Sequence, residues 1–150
     1  MKKIFIILAL FISQFSFAQS KAMQNLAEEY PNAISFVLYH SSLNMLNQGD
    51  DPEIAALAAT IDKIKVLTIQ DFSEIAQKQL ITELESSNFE MLMALKHKSL
   101  DVLVYIMEED ETIEGYFLIV KSDENTMAID VVGSPDAKQI GKIIDTVKNY

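Results

Sequence analysis

Apolar positions change period in mid-stretch between Lys63 and Leu80. Ile64, Val66, Leu67 and Ile69 form an apolar run of strand length, and after Asp71 the apolar residues return at helical spacing from Phe72 onward. The pattern predicts a buried strand feeding a helix that runs from Phe72 to about Ser86 and buries Phe72, Ala76, Leu80 and Leu84. Asp71 and Glu74 have the spacing of a capping box, in which each side chain serves the other's backbone N–H. This unit is expected to sit mid-sheet, with other elements packed on it.

The same reading extends along the chain. Met23, Leu26, Ala27 and Tyr30 mark a short first helix with Ser20 as N-cap and Pro31 as stop. From Ala33 to His40, Ile34, Phe36 and Leu38 alternate with Ser35, Val37 and Tyr39, which predicts a strand with a strongly apolar face. Ser42 to Leu46 then reads as helical. After the loop-forming Asn47 to Asp51, Asp51–Pro52–Glu53 is a helix start whose buried face is Ile54, Leu57, Ala58 and Ile61. A strand, a helical connection and a second strand predict a parallel pair joined by a right-handed crossover.

Beyond Asn88 four strands are expected in succession, 89–96, 100–107, 112–121 and 126–132. Their connections are short and polar, as antiparallel hairpins require. The closing segment from Gly133 to Lys138 repeats the helix-start logic, with Ser134 as cap and Pro135 at the first helical position, and Ala137, Ile140, Ile144 and Val147 face inward. The expected fold is α+β, a mixed sheet of about six strands with two parallel strands, then a four-stranded antiparallel meander, and helices packed on it. Several strands are apolar on both faces, so both faces need cover.

The N-terminus stands apart from this domain. Lys2 and Lys3 precede nine apolar residues, Ile4 to Ile12, and then Ser16 and Ala18 occupy the −3 and −1 positions of a cleavage site. Nine apolar residues fall far short of the roughly 20 that span a hydrocarbon core. Residues 1–18 are read as a signal peptide and 19–150 as a single α+β domain, periplasmic or secreted after cleavage near Ala18, with no stable membrane anchor. With no Cys in the chain there is neither a disulfide nor a lipoprotein anchor, so packing alone must hold the core.

Charge narrows the partners. The net charge is −10, and all twelve basic residues are Lys. A polyanion is repelled by that field, and the Arg fork that reads phosphate and guanine is missing, so nucleic acid is excluded as a partner. The plain consequence of the acidity is solubility.

Candidate chemistry is sparse. His40 ends a strand beside Ser41 and Ser42, but nothing places a third group or oxyanion donors for nucleophilic catalysis. His97 lies between Lys96 and Lys98 in a solvated turn. Asp50, Asp51 and Glu53, with Asn47, offer oxygens for calcium, yet their spacing misses the alternating acidic loop and Asp51 already serves as a cap. Glu108 to Glu111 could divide acid and base roles in a glycosidase, although four acids at a hairpin usually make a solvated tip. Gly49, Gly115, Gly133 and Gly141 form no phosphate cradle. Met45, Met91, Met93 and Met107 could line an adaptable groove, but on apolar strand faces they are expected to fill core. No catalytic, cofactor-binding or metal residue is assigned, and no cofactor is expected.

With its leader, ISFVLYHSSLNML at Ile34 to Leu46, IDKIKVLTI at Ile61 to Ile69 and FEMLMAL at Phe89 to Leu95, the chain resembles small secreted bacterial proteins grouped as domain of unknown function 4252. The resemblance implies export to the envelope of Gram-negative bacteria and transfers no functional residue. Some members look like lipoproteins, and the lack of Cys here departs from that. The expectation is an exported, non-enzymatic binding or regulatory module with an envelope protein as partner. The alternatives are a small-substrate hydrolase using acidic residues and a His, and a weak calcium-dependent binder through Asp50 and Asp51.

Overall fold

The computed structural model describes residues 20–47, 49 and 51–148. The expected leader, Asp50 and the Val147 side chain lie outside the described residues. Within them the chain runs α1 (Lys21–Glu29), β1 (Ile34–Tyr39), α2 (His40–Leu46), α3 (Pro52–Thr60), β2 (Ile61–Ile69), α4 (Glu74–Ser86), β3 (Phe89–His97), β4 (Leu100–Glu109), β5 (Thr112–Lys121), β6 (Thr126–Gly133) and α5 (Ala137–Lys148). The strands form one six-stranded sheet in the order β1-β2-β6-β5-β4-β3. The fold is α+β, and the meander of the last four strands is as expected.

The first pair of strands is not parallel. β1 and β2 pair antiparallel, with Ile34 opposite Thr68 and Tyr39 opposite Lys63, and every other pair in the sheet is antiparallel as well. The reason lies in the connection. The two helical stretches expected between the strands are present, but they fold as an out-and-back pair and not as a crossover. His40 Nδ1, at the start of α2, lies 2.7 Å from the carbonyl oxygen of Ala58, near the end of α3. Helix α3 therefore brings the chain back to where β1 ended, and β2 must retrace it. A parallel partner would need a connection that carries the chain back along the strand's full length.

Helices cover both faces of the sheet. On one face Ala22, Met23 and Leu26 of α1 and Ala76, Leu80 and Leu84 of α4 pack on Leu67, Phe117, Ile119 and Ala128. On the other, Leu43 of α2, Ala58 of α3 and Ile140 and Ile144 of α5 pack on Ile64, Val66, Leu118 and Ile129. The alternation in β5 makes this division plain: Tyr116, Leu118 and Val120 belong to the second core, Phe117 and Ile119 to the first. At roughly 25 cal/mol for each Å² of apolar surface withdrawn from water, these two cores supply the main stabilisation of a chain without disulfides.

Several helix ends differ from their expected places. Asp71 does not cap α4; its φ is +56°, and the cap is Ser73, whose Oγ accepts from Ala76 N at 3.1 Å. The tight turn after β2 lets Phe72 tuck inward, edge-on to Tyr30 at 5.6 Å between ring centroids. A reciprocal capping box does occur, at α5. Asp136 Oδ1 accepts from Gln139 N, and Gln139 Oε1 accepts from Asp136 N, both at 2.8 Å. It displaces Ser134 and Pro135 from the roles expected of them; Ser134 N instead donates to Thr60 O at 2.9 Å. Gly133 makes that approach feasible, because its φ is +136° and a Cβ there would lie 2.3 Å from the same Thr60 oxygen.

Candidate functional site

The helices cover both faces over the middle of the sheet and leave its outer strands open. β3 has a strand on one side only, and of its nine residues Phe89 alone is buried. Met91, Leu92, Met93 and Leu95 are 52, 50, 40 and 36% exposed. Of the four methionines expected to fill core, Met91 and Met93 therefore lie at the surface, because the strand that carries them is the last in the sheet; Met45 is exposed too, and Met107 packs partly buried against the first core.

Local structure explains how this edge is held. Helix α4 ends at Ser86, and Asn88 turns the chain into β3 with φ +65°. Phe89 anchors the start of the strand, edge-on to Phe117 with centroids 6.3 Å apart. The register with β4 shifts between Met91 and Met93, so a bulge at Leu92 breaks the regular alternation. The pairing then resumes and ends at His97 opposite Leu100. Outside the bulge, every second residue of such an edge turns its N–H and C=O away from the sheet.

The opposite edge is also apolar. On β1, Ile34 and Phe36 of the expected apolar face are exposed, and so is Tyr39. Phe36 and Leu38 border a groove of about 300 Å³ whose other wall is Ile54, Leu57 and Ile143, with Glu53 and Lys142 paired at its rim. Ile54, expected on a buried helix face, is exposed for the same reason: it lies against an open groove.

The residues weighed for chemistry do not converge. Asn44 Nδ2 donates to His40 Nε2 at 3.0 Å, which leaves Nδ1 to donate to Ala58 O, so the ring braces the helical hairpin. His97 stands at the far end of β3. Glu108 to Glu111 occupy the exposed β4–β5 hairpin. Asp51 Oδ1 accepts from Glu53 N, while Asn47 Oδ1 accepts from Asp51 N, both at 2.8 Å, so these oxygens are already engaged. Among the described residues no three His, Asp or Glu side chains gather as a metal site.

One buried polar group had no signal in the sequence. Asp130 on β6 is 3% exposed, and its Oδ2 accepts from both Ser20 N (2.9 Å) and Ser20 Oγ (2.8 Å). Burial raises its pKa above the usual carboxylate value, opposed by the Ser20 hydrogen bonds and by Lys63 and Lys65. It borders a cleft of about 630 Å³ that also touches Asp62, Glu109 and Glu114. Because Ser20 Oγ accepts from Met23 N as well, one side chain caps α1 and ties it to the sheet.

A family model described as Domain of unknown function (DUF4252) matches residues 27–143. The chain belongs to that family. No curated protein matches it. The DUF4252 match takes in all six strands and both apolar edges, and the Ser20–Asp130 contact joins its β6 to a residue ahead of it. No helix among the described residues of this DUF4252 protein is long and apolar enough to cross a membrane.

Proposed function

We infer that this DUF4252 protein is exported to the cell envelope and acts without catalysis, by binding another protein along the edge of its sheet. One observation carries the reading: helices cover both faces over the middle of the sheet, yet β3 keeps four large apolar side chains in solvent. An edge of this kind invites an added strand, whose main-chain bonds supply affinity while the flanking side chains supply specificity. Export rests on the charged, apolar and small-residue segments of positions 1–18.

The test is crosslinking in the intact envelope of the native host, with a C-terminally tagged full-length chain and its Met93→Asp variant. The expected result is a crosslinked species that the wild type forms and Met93→Asp loses at equal abundance. A crosslinking pattern unchanged by the substitution would remove the edge from the function.

A further inference from the structure

The charges along β3 identify its partner, and this step rests on reading β3 as an interaction edge. Glu90 stands at the start of the strand, and Lys96, His97 and Lys98 at its end. The neighbouring strand β4 extends the negative end. β4 runs antiparallel to β3, with Phe89 opposite Met107, so Glu108, Glu109, Asp110 and Glu111 lie beyond the Glu90 end. At the other end Lys121 of β5 stands opposite Asp101 of β4, with Asp123 close by, so the neighbouring strands add no net positive charge there and the cations of that end are those of β3 and its turn, Lys96 and Lys98. Along β3 and its turn the order is thus acidic at one end, basic at the other and apolar between. A four-acid run with no chemical role and the Lys-His-Lys cluster both find a place in that arrangement.

We propose that two copies of this chain join β3 to β3, antiparallel across a two-fold axis, so that the Lys96–His97–Lys98 end of each meets Glu90 and the acidic hairpin of the other. The only orientation that brings opposite charges together at both ends is the antiparallel one, and a two-fold axis satisfies both at once. Met91, Leu92, Met93 and Leu95 of the two strands then cover each other. Lys96 loses little by taking a new partner: its bond to Asp101 is 3.4 Å long and its side chain is 80% exposed, a geometry in which an ion pair is nearly worthless. β1 lacks this property. Its six residues, Ile34 to Tyr39, carry no charge to fix an orientation, and joining β1 to β3 of another copy would produce an open chain of molecules instead of a closed pair.

Sedimentation velocity over about 1–100 µM and native mass spectrometry, on the full-length gene product purified as the host releases it, decide the matter. The wild type is expected to be a dimer in the upper part of that range. Glu90→Lys and the double variant Lys96→Glu/Lys98→Glu are each expected to weaken it, the double variant by roughly tenfold or more. All three positions are exposed, so unchanged circular dichroism and melting temperature should accompany the loss.

Mixing the two variants provides the decisive readout. Heterodimers should exceed the statistical share. The unchanged Glu90 of one copy then meets Lys96 and Lys98 of the other, and the lysine introduced at position 90 meets the introduced glutamates, whatever the hairpin contributes. A wild-type monomer at the highest concentration, a dimer indifferent to both variants, statistical mixing, or a concentration-dependent ladder beyond the dimer would each overturn self-pairing. The wider reading fails separately, since a monomer whose envelope crosslinks still vanish with Met93→Asp refutes only the second copy.

Discussion

Asp130 shows how much one side chain can decide. The two hydrogen bonds from Ser20 join residues 110 positions apart, and no periodicity or motif announces such a pair. The N-cap role of Ser20 was legible because capping is local; its second role was not, because it depends on where β6 lies. The sign of the pH effect follows from the raised pKa. Between the ordinary carboxylate pKa and the higher folded value, the folded protein binds more protons than the unfolded one, so this group's contribution falls as pH rises. Urea denaturation of wild type and Asp130→Asn is therefore expected to show the wild type gaining stability relative to the variant from pH 7 to pH 4.5. A difference constant across that range would contradict the assignment. Two buried tyrosines offer a second comparison. Tyr116 Oη donates to Pro135 O at 2.8 Å, whereas the buried Tyr105 Oη finds no hydrogen-bond partner among the described residues. Tyr116→Phe should cost about 1 kcal/mol, while Tyr105→Phe should be neutral or stabilising by up to about 1 kcal/mol, as read from chemical denaturation midpoints.

At the scale of elements, the strands and hairpins of the second half were readable because their signals are local: alternating apolar residues and short polar connections. The direction of β2 relative to β1 was not, since it depends on whether the intervening helical residues form one crossing or an out-and-back pair. Asp71 misleads because a second capping residue, Ser73, stands two places on and leaves Asp71 free to make the turn. The β4–β5 hairpin has its own cost. Glu109 and Thr112 face each other across a two-residue turn in which Asp110 and Glu111 have φ of +50° and +63°. That is the geometry Asn-Gly or Asp-Gly adopts with ease, and a Glu side chain does not favour it. Glu111→Gly should stabilise the protein by about 0.5–1 kcal/mol, detected as a higher denaturation midpoint at unchanged slope. No change, or a loss, would mean that the carboxylate compensates for the backbone.

For the molecule as a whole, the two apolar faces of the central strands announced a sheet covered on both sides at its middle. Strand order was beyond reach, because β2 and β6 attract each other only as members of a finished sheet. The exposed edge followed from that order: the sequence of β3 is as apolar as that of a buried strand, and only its final position separates them.

The placement of β2 beside β6 also bears on how the chain comes into being. Synthesis delivers residues 61–69 long before residues 126–133, and until the latter arrive β2 has β1 as its only strand neighbour. Helix α1 waits as well, since its hydrogen-bonded tie to the sheet is Asp130 and much of the strand surface it packs on, Phe117, Ile119 and Ala128, comes late in the chain. The meander of β3 to β6 can assemble from neighbours in sequence, but pairing β2 with β6 closes a long loop and comes at a cost in chain entropy. No N-terminal piece can therefore complete either core while the chain is still being made. A chain cut short of β6 is therefore expected to unfold without cooperativity, because it lacks Ala128 from one core and Ile129 and Val131 from the other.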